Sequence, residues 1–389
     1  MKKKVAIINQ RYGAEVNGGS EYYTKKLAEH LQEYYDIEVL TTTALDYDTW
    51  KPYYQVGRQV VDGVTVHRFS VEKTRNMNLF RIFNKMLRTF PILLRGLEGV
   101  WLKEQGPYCP EMIDYIRYHR DDYDTYIFVT YLYYTTVLGL PEVAEKAIFV
   151  PTAHDEYSIY FQIYRKLFNQ VKGIVYLTKE EQCFVQSKFK NENVPYRIAG
   201  TGIEVPACVD VQRFKEKYQI NTKYIAYVGR VDVGKNCDVM FQYFERYCVR
   251  KKIKDLKLVV AGKMMMEKPK SELIQTLGFL TEDEKYAVIA GAKALIMPSL
   301  YESLSLVVLE AMALGTPVVV NDECSVLKGH CDKSGAGLGY RNYDDYEEAI
   351  DRLLKDEDLY NSMCSAGKIY IKKNYTWDKT VAMFKELIE

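Results

Sequence analysis

The chain has 389 residues, 48% of them apolar, and 53 Lys and Arg against 52 Asp and Glu leave a net charge of +1. That length suits more than one domain with substantial cores, and the near-neutral charge speaks against a nucleic-acid-binding protein. Eight scattered cysteines, with no C-x-x-C pair and no histidine cluster beside them, fit a reducing compartment and no zinc site. The 34 tyrosines against 15 phenylalanines read as compositional bias rather than as a sugar-stacking platform. Residues 1–8 resemble a leader, but the apolar run stops at Asn9, too short for an h-region. No stretch reaches the roughly 18 apolar residues of a membrane span, so a cytoplasmic protein is expected.

Val5–Ile8 reads as a first strand. Beyond it come Gly18 and Gly19, then a helix over 22–32 with Leu27, Ala28 and Leu31 on one face. A glycine pair between strand and helix lets backbone approach a ligand, or simply makes a tight turn. Strands follow at 38–41 and, after an Asp62-Gly63 turn, at 64–69.

Residues 78–103 mix Arg81, Lys85, Arg88, Arg95 and Lys103 with Leu, Ile, Phe and Met, and Pro91 breaks the run in two. Such a segment could lie on an anionic membrane face, or be a core helix with a solvated basic side. Tyr108 lies in the turn after it. Strands at 126–130 and 147–150 come next, and the second runs into His154 and Asp155, where an α/β site is expected. Strand, Thr178 cap and helix follow at 173–181. The polar stretch 208–223 reads as the linker between domains.

A second α/β series opens at Tyr224. Its first strand delivers Gly229-Arg230 and Gly234-Lys235, a guanidinium fork and an ammonium that suit a diphosphate. A strand at 256–261 and the loop around Phe279 and Leu280 follow. Ala294–Met297 is a buried strand, stopped by Pro298. A helix starts near Ser305, with Ser303 or Ser305 as cap, and ends at Gly315. Glu302 precedes this helix. Glu310 lies inside it among apolar neighbours, so it must face solvent or find a partner. Alternating strands and helices define an α/β protein with parallel sheets.

Glu302 and Glu310, followed by Ala311-Met312-Ala313 and Gly315-Thr316-Pro317-Val318, resemble the E-x7-E motif of the retaining glycosyltransferases of family 4. The glycine loop, the His154-Asp155 pair and the G-R-x-x-x-x-K element at Gly229 also resemble that family. The resemblance implies a GT-B fold, with two Rossmann-like domains facing a central cleft. The expected bounds are 1–205 for an acceptor-side domain, 206–372 for a nucleotide-sugar domain, and 373–389 for a helix returning to the first. It implies transfer of a sugar from a UDP-, GDP- or dTDP-sugar to a glycan or lipid-linked acceptor, with retention, in cell-surface polysaccharide synthesis.

The same resemblance implies catalytic roles for Glu302, His154, Arg230 and Lys235. Donor contacts fall to Gly18, Gly19, Arg230, Lys235, Phe279, Leu280, Ser303, Leu304, Ser305, Leu306 and Glu310. His154, Asp155 and Tyr108 take the sugar and acceptor side. No metal or cofactor is expected, because Asp46-x-Asp48 and Asp122-x-Asp124 lack a strand-and-glycine context. A nucleotide-sugar epimerase of the same architecture and a non-catalytic nucleotide-sugar-binding subunit are the alternatives.

Overall fold

The computed structural model describes residues 2–389; Met1, the start of the leader-like run, lies outside them. The chain divides into two compact units, residues 1–201 with Trp377–Glu389, and Gly202–Thr376.

The first unit is built on eight strands: β1 (Lys4–Ile8), β2 (Asp36–Thr42), β3 (Gly57–Val61), β4 (Val64–Phe69), β5 (Thr125–Val129), β6 (Ala147–Val150), β7 (Gly173–Tyr176) and β8 (Tyr196–Ile198). Their order is β3-β4-β2-β1-β5-β6-β7-β8, and all pairs are parallel except the β3–β4 hairpin at the Asp62-Gly63 turn. The central strands are continuous apolar runs because helices cover both faces. Residues 5–8 and 126–129 are fully buried. The strand order reverses between β1 and β5, and the glycine loop leaves β1 there.

The closing helix Trp377–Ile388 belongs to this unit. Trp377 stacks on His30 at 4.5 Å, Thr380 donates to the Ala199 carbonyl at 3.2 Å, and Arg197 pairs with Glu386.

The second unit holds β9 (Lys223–Val228), β10 (Leu256–Ala261), β11 (Ile274–Gly278), β12 (Ala294–Met297), β13 (Val318–Asn321) and β14 (Gly337–Tyr340). The order is β11-β10-β9-β12-β13-β14, wholly parallel, so every strand's C-terminal end lies on one edge. The reversal falls between β9 and β12. Residues 211–217, inside the stretch read as a linker, form a helix capped by Asp210. The linker reading failed because polar residues there cover the outer side of a helix whose Phe214 is buried.

Candidate nucleotide-sugar site

In the second unit Arg230, Lys235 and Glu302 gather at the β9–β12 reversal, where open α/β sheets bind ligands. After β9, Gly229 leads to Arg230, whose Nε pairs with the Asp232 carboxylate. Asp232 Oδ1 also accepts the Lys235 backbone N–H at 2.8 Å, capping a short 3-10 turn over Val233–Lys235. Lys235 Nζ then reaches Glu302 Oε1 in the loop after β12, at 2.6 Å. Asn236 ties the two loops again, donating to the Pro298 carbonyl at 3.3 Å. Gly262, after β10, packs against the Gly229 backbone. A Cβ there would lie 1.9 Å from the Gly229 carbonyl oxygen, so the two loop backbones pack in direct contact.

The helix following β12 spans Leu306–Leu314. Ser305 occupies its cap position, but its side chain caps nothing, contrary to the expectation for Ser303 or Ser305. Ser305 instead has φ 67° and ψ 76°, a conformation costly for a residue with a Cβ. Its hydroxyl is buried and makes no hydrogen bond among the described residues. A strained residue with an orphaned hydroxyl at a helix N-terminus is a place for an anionic oxygen. Ser303 is half-buried. Leu304 is buried, and its carbonyl lies 2.8 Å from His330 Nε2.

Glu310 does not face solvent. It is 5% exposed, and its Oε1 lies 2.7 Å from Lys285 Nζ. Burial pushes the Glu310 carboxyl above its ordinary value, and the ammonium opposes that shift. Burial disfavours the Lys285 charge, but the carboxylates of Glu310 and Glu282 prevail and hold its pKa above the usual value. Lys285 went unread in the sequence because it lies in a charged helix start, Glu282-Asp283-Glu284-Lys285, with nothing linking it to a residue 25 positions away. Just before that helix, Phe279 is exposed and Leu280 half-buried.

In the first unit, Gly18 and Gly19 are exposed at the start of the helix Gly19–Leu31. A Cβ on Gly18 would come within 2.1 Å of Glu21 Oε2. Glu21, buried in the helix's first turn, anchors the loop. It accepts from Arg11 Nε at 2.9 Å, Gln10 at 2.8 Å and the Ser20 hydroxyl at 2.8 Å. Arg11 in turn donates to the carbonyls of Asn17 and Leu45. Arg11 and Glu21 were missed, although a basic residue after a strand and an acid in the next helical turn make a readable pair.

His154 lies half-buried past β6. Asp155 accepts from the Tyr160 hydroxyl at 2.6 Å, and the carboxylate 4.0 Å from His154 Nε2 is that of Glu156. The loop is held by Glu181, whose two oxygens accept the N–H groups of Ala153 and Leu177, each at 2.6 Å. Burial pushes the Glu181 carboxyl up to about 8, against those hydrogen bonds. Thr130 and Thr152, just past β5 and β6 with φ 74° and 50°, share a 2.7 Å hydrogen bond. Tyr108 packs edge-on against Tyr134 at 5.1 Å.

The D-x-D carboxylates have local partners. Asp46 accepts from the Thr49 N–H and hydroxyl, Asp122 lies 2.6 Å from His119 Nδ1, and Asp124 accepts the Lys4 N–H.

These two sheets belong to a known class. A structure from Anabaena in complex with UDP and glucose superposes with a TM-score of 0.70, covering 99% of this chain and 98% of that one at 11% identity. At that identity the likeness concerns the fold, which is GT-B, with two Rossmann-like α/β units. Residues 209–369 match the family model Glycosyl transferases group 1, so the second unit carries a domain of that group. An uncharacterized glycosyltransferase of Methanocaldococcus jannaschii is 28% identical over 186 residues, 44% of this chain and 47% of that protein. A D-inositol 3-phosphate glycosyltransferase of Corynebacterium urealyticum is also 28% identical over 186 residues, 43% of each chain. The chain thus spans less than half the length of these curated relatives.

Proposed function

We propose that the protein is a glycosyltransferase that moves a sugar from a nucleoside-diphosphate donor to a glycan or lipid-linked glycan. The proposed setting is cell-surface polysaccharide synthesis, with retention at the anomeric carbon. The observation that carries this reading is the set at the β9–β12 reversal: Arg230 and Lys235 across from Glu302, beside the strained Ser305 at a helix start. The group 1 domain match and the printed activities of the relatives support it. Eight free thiols suit a reducing compartment, so the cytoplasm is the proposed place of action.

As the sugar leaves, negative charge grows on the diphosphate. Lys235 carries three N–H donors. It therefore keeps Glu302 with one and offers another to a phosphate oxygen, while the Arg230 fork takes a second phosphate oxygen. The Ser305 hydroxyl and the helix N-terminus add neutral donors. These groups are preorganised where charge develops, which lowers the barrier without a metal. Glu302 is assigned to the sugar hydroxyls and Glu310 to the ribose. Phe279 and Leu280 are assigned to the base. Gly18, Gly19, His154, Asp155 and Tyr108 of the first unit are assigned to the donor phosphates, the transferred sugar and the acceptor, as the resemblance implies. No side chain is assigned as nucleophile, so the acceptor attacks from the face the diphosphate leaves.

The test is a thermal-shift screen of UDP-, GDP- and dTDP-sugars, since binding to the folded state raises the melting temperature. One donor class should stabilise the wild type and not Arg230→Ala. That donor should then yield free nucleoside diphosphate only when acceptor is present, and equally well in excess EDTA. Release without acceptor, or no stabilisation by any donor, would overturn the reading.

A further inference from the structure

The segment from Met77 to Leu97 in the first unit has a surface unlike the rest of the chain. The helix Met77–Thr89 starts at Asn76, whose side chain accepts the N–H groups of Asn78 and Leu79. One arc of this helix faces the core: Leu87 is fully buried, and Phe80 and Phe83 pack against the main cluster. At about 100° per residue, Leu79, Ile82, Met86 and Phe90 fall on a second arc. They are 40%, 52%, 37% and 56% exposed. Past Pro91 the chain turns, and Ile92 and Leu93 stand 75% and 80% exposed. Single exposed apolar residues are ordinary. Here six of the 21 exposed large apolar side chains crowd into residues 79–93, which marks a contact surface.

The third arc identifies what it contacts. Arg81, Lys85 and Arg88 are exposed there, and Arg95 is exposed beyond the turn. From Asn76 to Leu97 there is no Asp or Glu, so the patch carries four positive charges and no negative one. A second copy docking through the same face would oppose two such patches, and like charges across an interface are unfavourable. An apolar arc beside a basic one, with two aliphatic residues at a turn, instead matches a bilayer surface. Apolar side chains enter the headgroup–acyl boundary while guanidinium and ammonium groups meet lipid phosphates.

We propose that this face docks the protein on an anionic lipid bilayer. Leu79, Ile82, Met86, Phe90, Ile92 and Leu93 insert, and Arg81, Lys85 and Arg88 supply the charge preference.

The experiment is co-sedimentation of the full chain with vesicles of phosphatidylcholine alone or with about one third phosphatidylglycerol. Anionic vesicles should bind about tenfold more protein or better, and raised salt should erase most of the difference. The double variant Ile92→Asp/Leu93→Asp alters only exposed positions. It should melt like the wild type and lose vesicle binding. Leu93→Trp should blue-shift its fluorescence on anionic vesicles, which reports insertion. Equal recovery on neutral and anionic vesicles would overturn the proposal. So would unchanged binding by the double variant, or an unshifted Leu93→Trp, either of which means adhesion by charge alone. A dimer in solution that the Asp substitutions dissolve, with no vesicle binding, would assign the face to a second copy and overturn it as well.

Discussion

The two units use their buried carboxylates differently. In the first, Glu21 and Glu181 spend both oxygens on the protein. Glu21 gathers Arg11, Gln10 and Ser20 under the glycine loop, and Glu181 holds the backbone of Ala153 and Leu177 beside His154. In the second, Glu302 and Glu310 each commit Oε1 to a lysine, and Oε2 stays outside those pairs. The first kind of carboxylate shapes a loop. In the roles proposed for it, the second kind couples a cation to a hydroxyl of the donor. An acid's chemistry thus follows from what its second oxygen does, and substitutions in each set should fail in different ways.

The largest effect is expected where a pair is most buried. Lys285→Met leaves Glu310 charged and alone in the interior, which costs about 3 kcal/mol or more. Adding Glu310→Gln should recover much of that loss. Chemical denaturation of both single variants and the double gives the coupling directly, and additive losses would mean that the pair is incidental.

Arg230→Ala should lower kcat/KM by roughly 10²-fold, as for a lost charge-stabilising donor, with stability unchanged because the side chain is exposed. Arg230→Lys should restore part, since an ammonium lacks the fork. Turnover near wild type for Arg230→Ala would dismantle the site assignment.

Glu302→Gln and Glu310→Gln separate the two donor roles. Glu302→Gln should depress kcat more than KM, because its sugar contact tightens as charge develops. Glu310→Gln should raise KM for the donor by roughly tenfold and spare kcat, because ribose does not change in the reaction. The reverse pattern would exchange their roles.

A pH dependence is expected in the first unit. The Glu181 carboxyl is raised from 4.5 to about 8. The folded state therefore holds a proton that the unfolded chain has released. That contribution to stability is complete below about 4.5 and is lost as pH rises towards 8. The melting temperature of the wild type, relative to Glu181→Gln, should fall between pH 5 and pH 9. A constant difference would mean that Glu181 stays ionised throughout.

Much of the second unit was legible in the sequence. Its strands are mostly short apolar runs, and its candidate site residues sit just past strand ends. Arg230, Lys235, Glu302 and Ser305 lie past β9 and β12 in that way, and it was the resemblance to family 4 that grouped them. Lys285 was not grouped with them, since a helix-to-helix ion pair leaves no local pattern. The first unit was less legible. Its central strands were readable, but Glu181 acts by holding backbone, which has no residue-type code. The His154 loop shows the same limit: the carboxylate 4.0 Å from His154 is that of Glu156 and not of the adjacent Asp155, because adjacency in sequence says little about which way side chains turn after a strand. The polar stretch 208–223 misled because a short helix with one buried Phe214 looks like solvent-facing chain.

Gly262 carries a consequence for how this chain could lose the proposed activity over evolutionary time. Its backbone lies so close to Gly229 that one added methyl must displace the loop presenting Arg230. A descendant with Ala at 262 would keep every charged residue of the site and still mis-aim its guanidinium. Decay would then begin at an uncharged, chemically silent position, while the motif that advertises the enzyme stayed intact. Counting retained Arg, Lys and Glu would class such a descendant as active, and only the glycine would record that it is not.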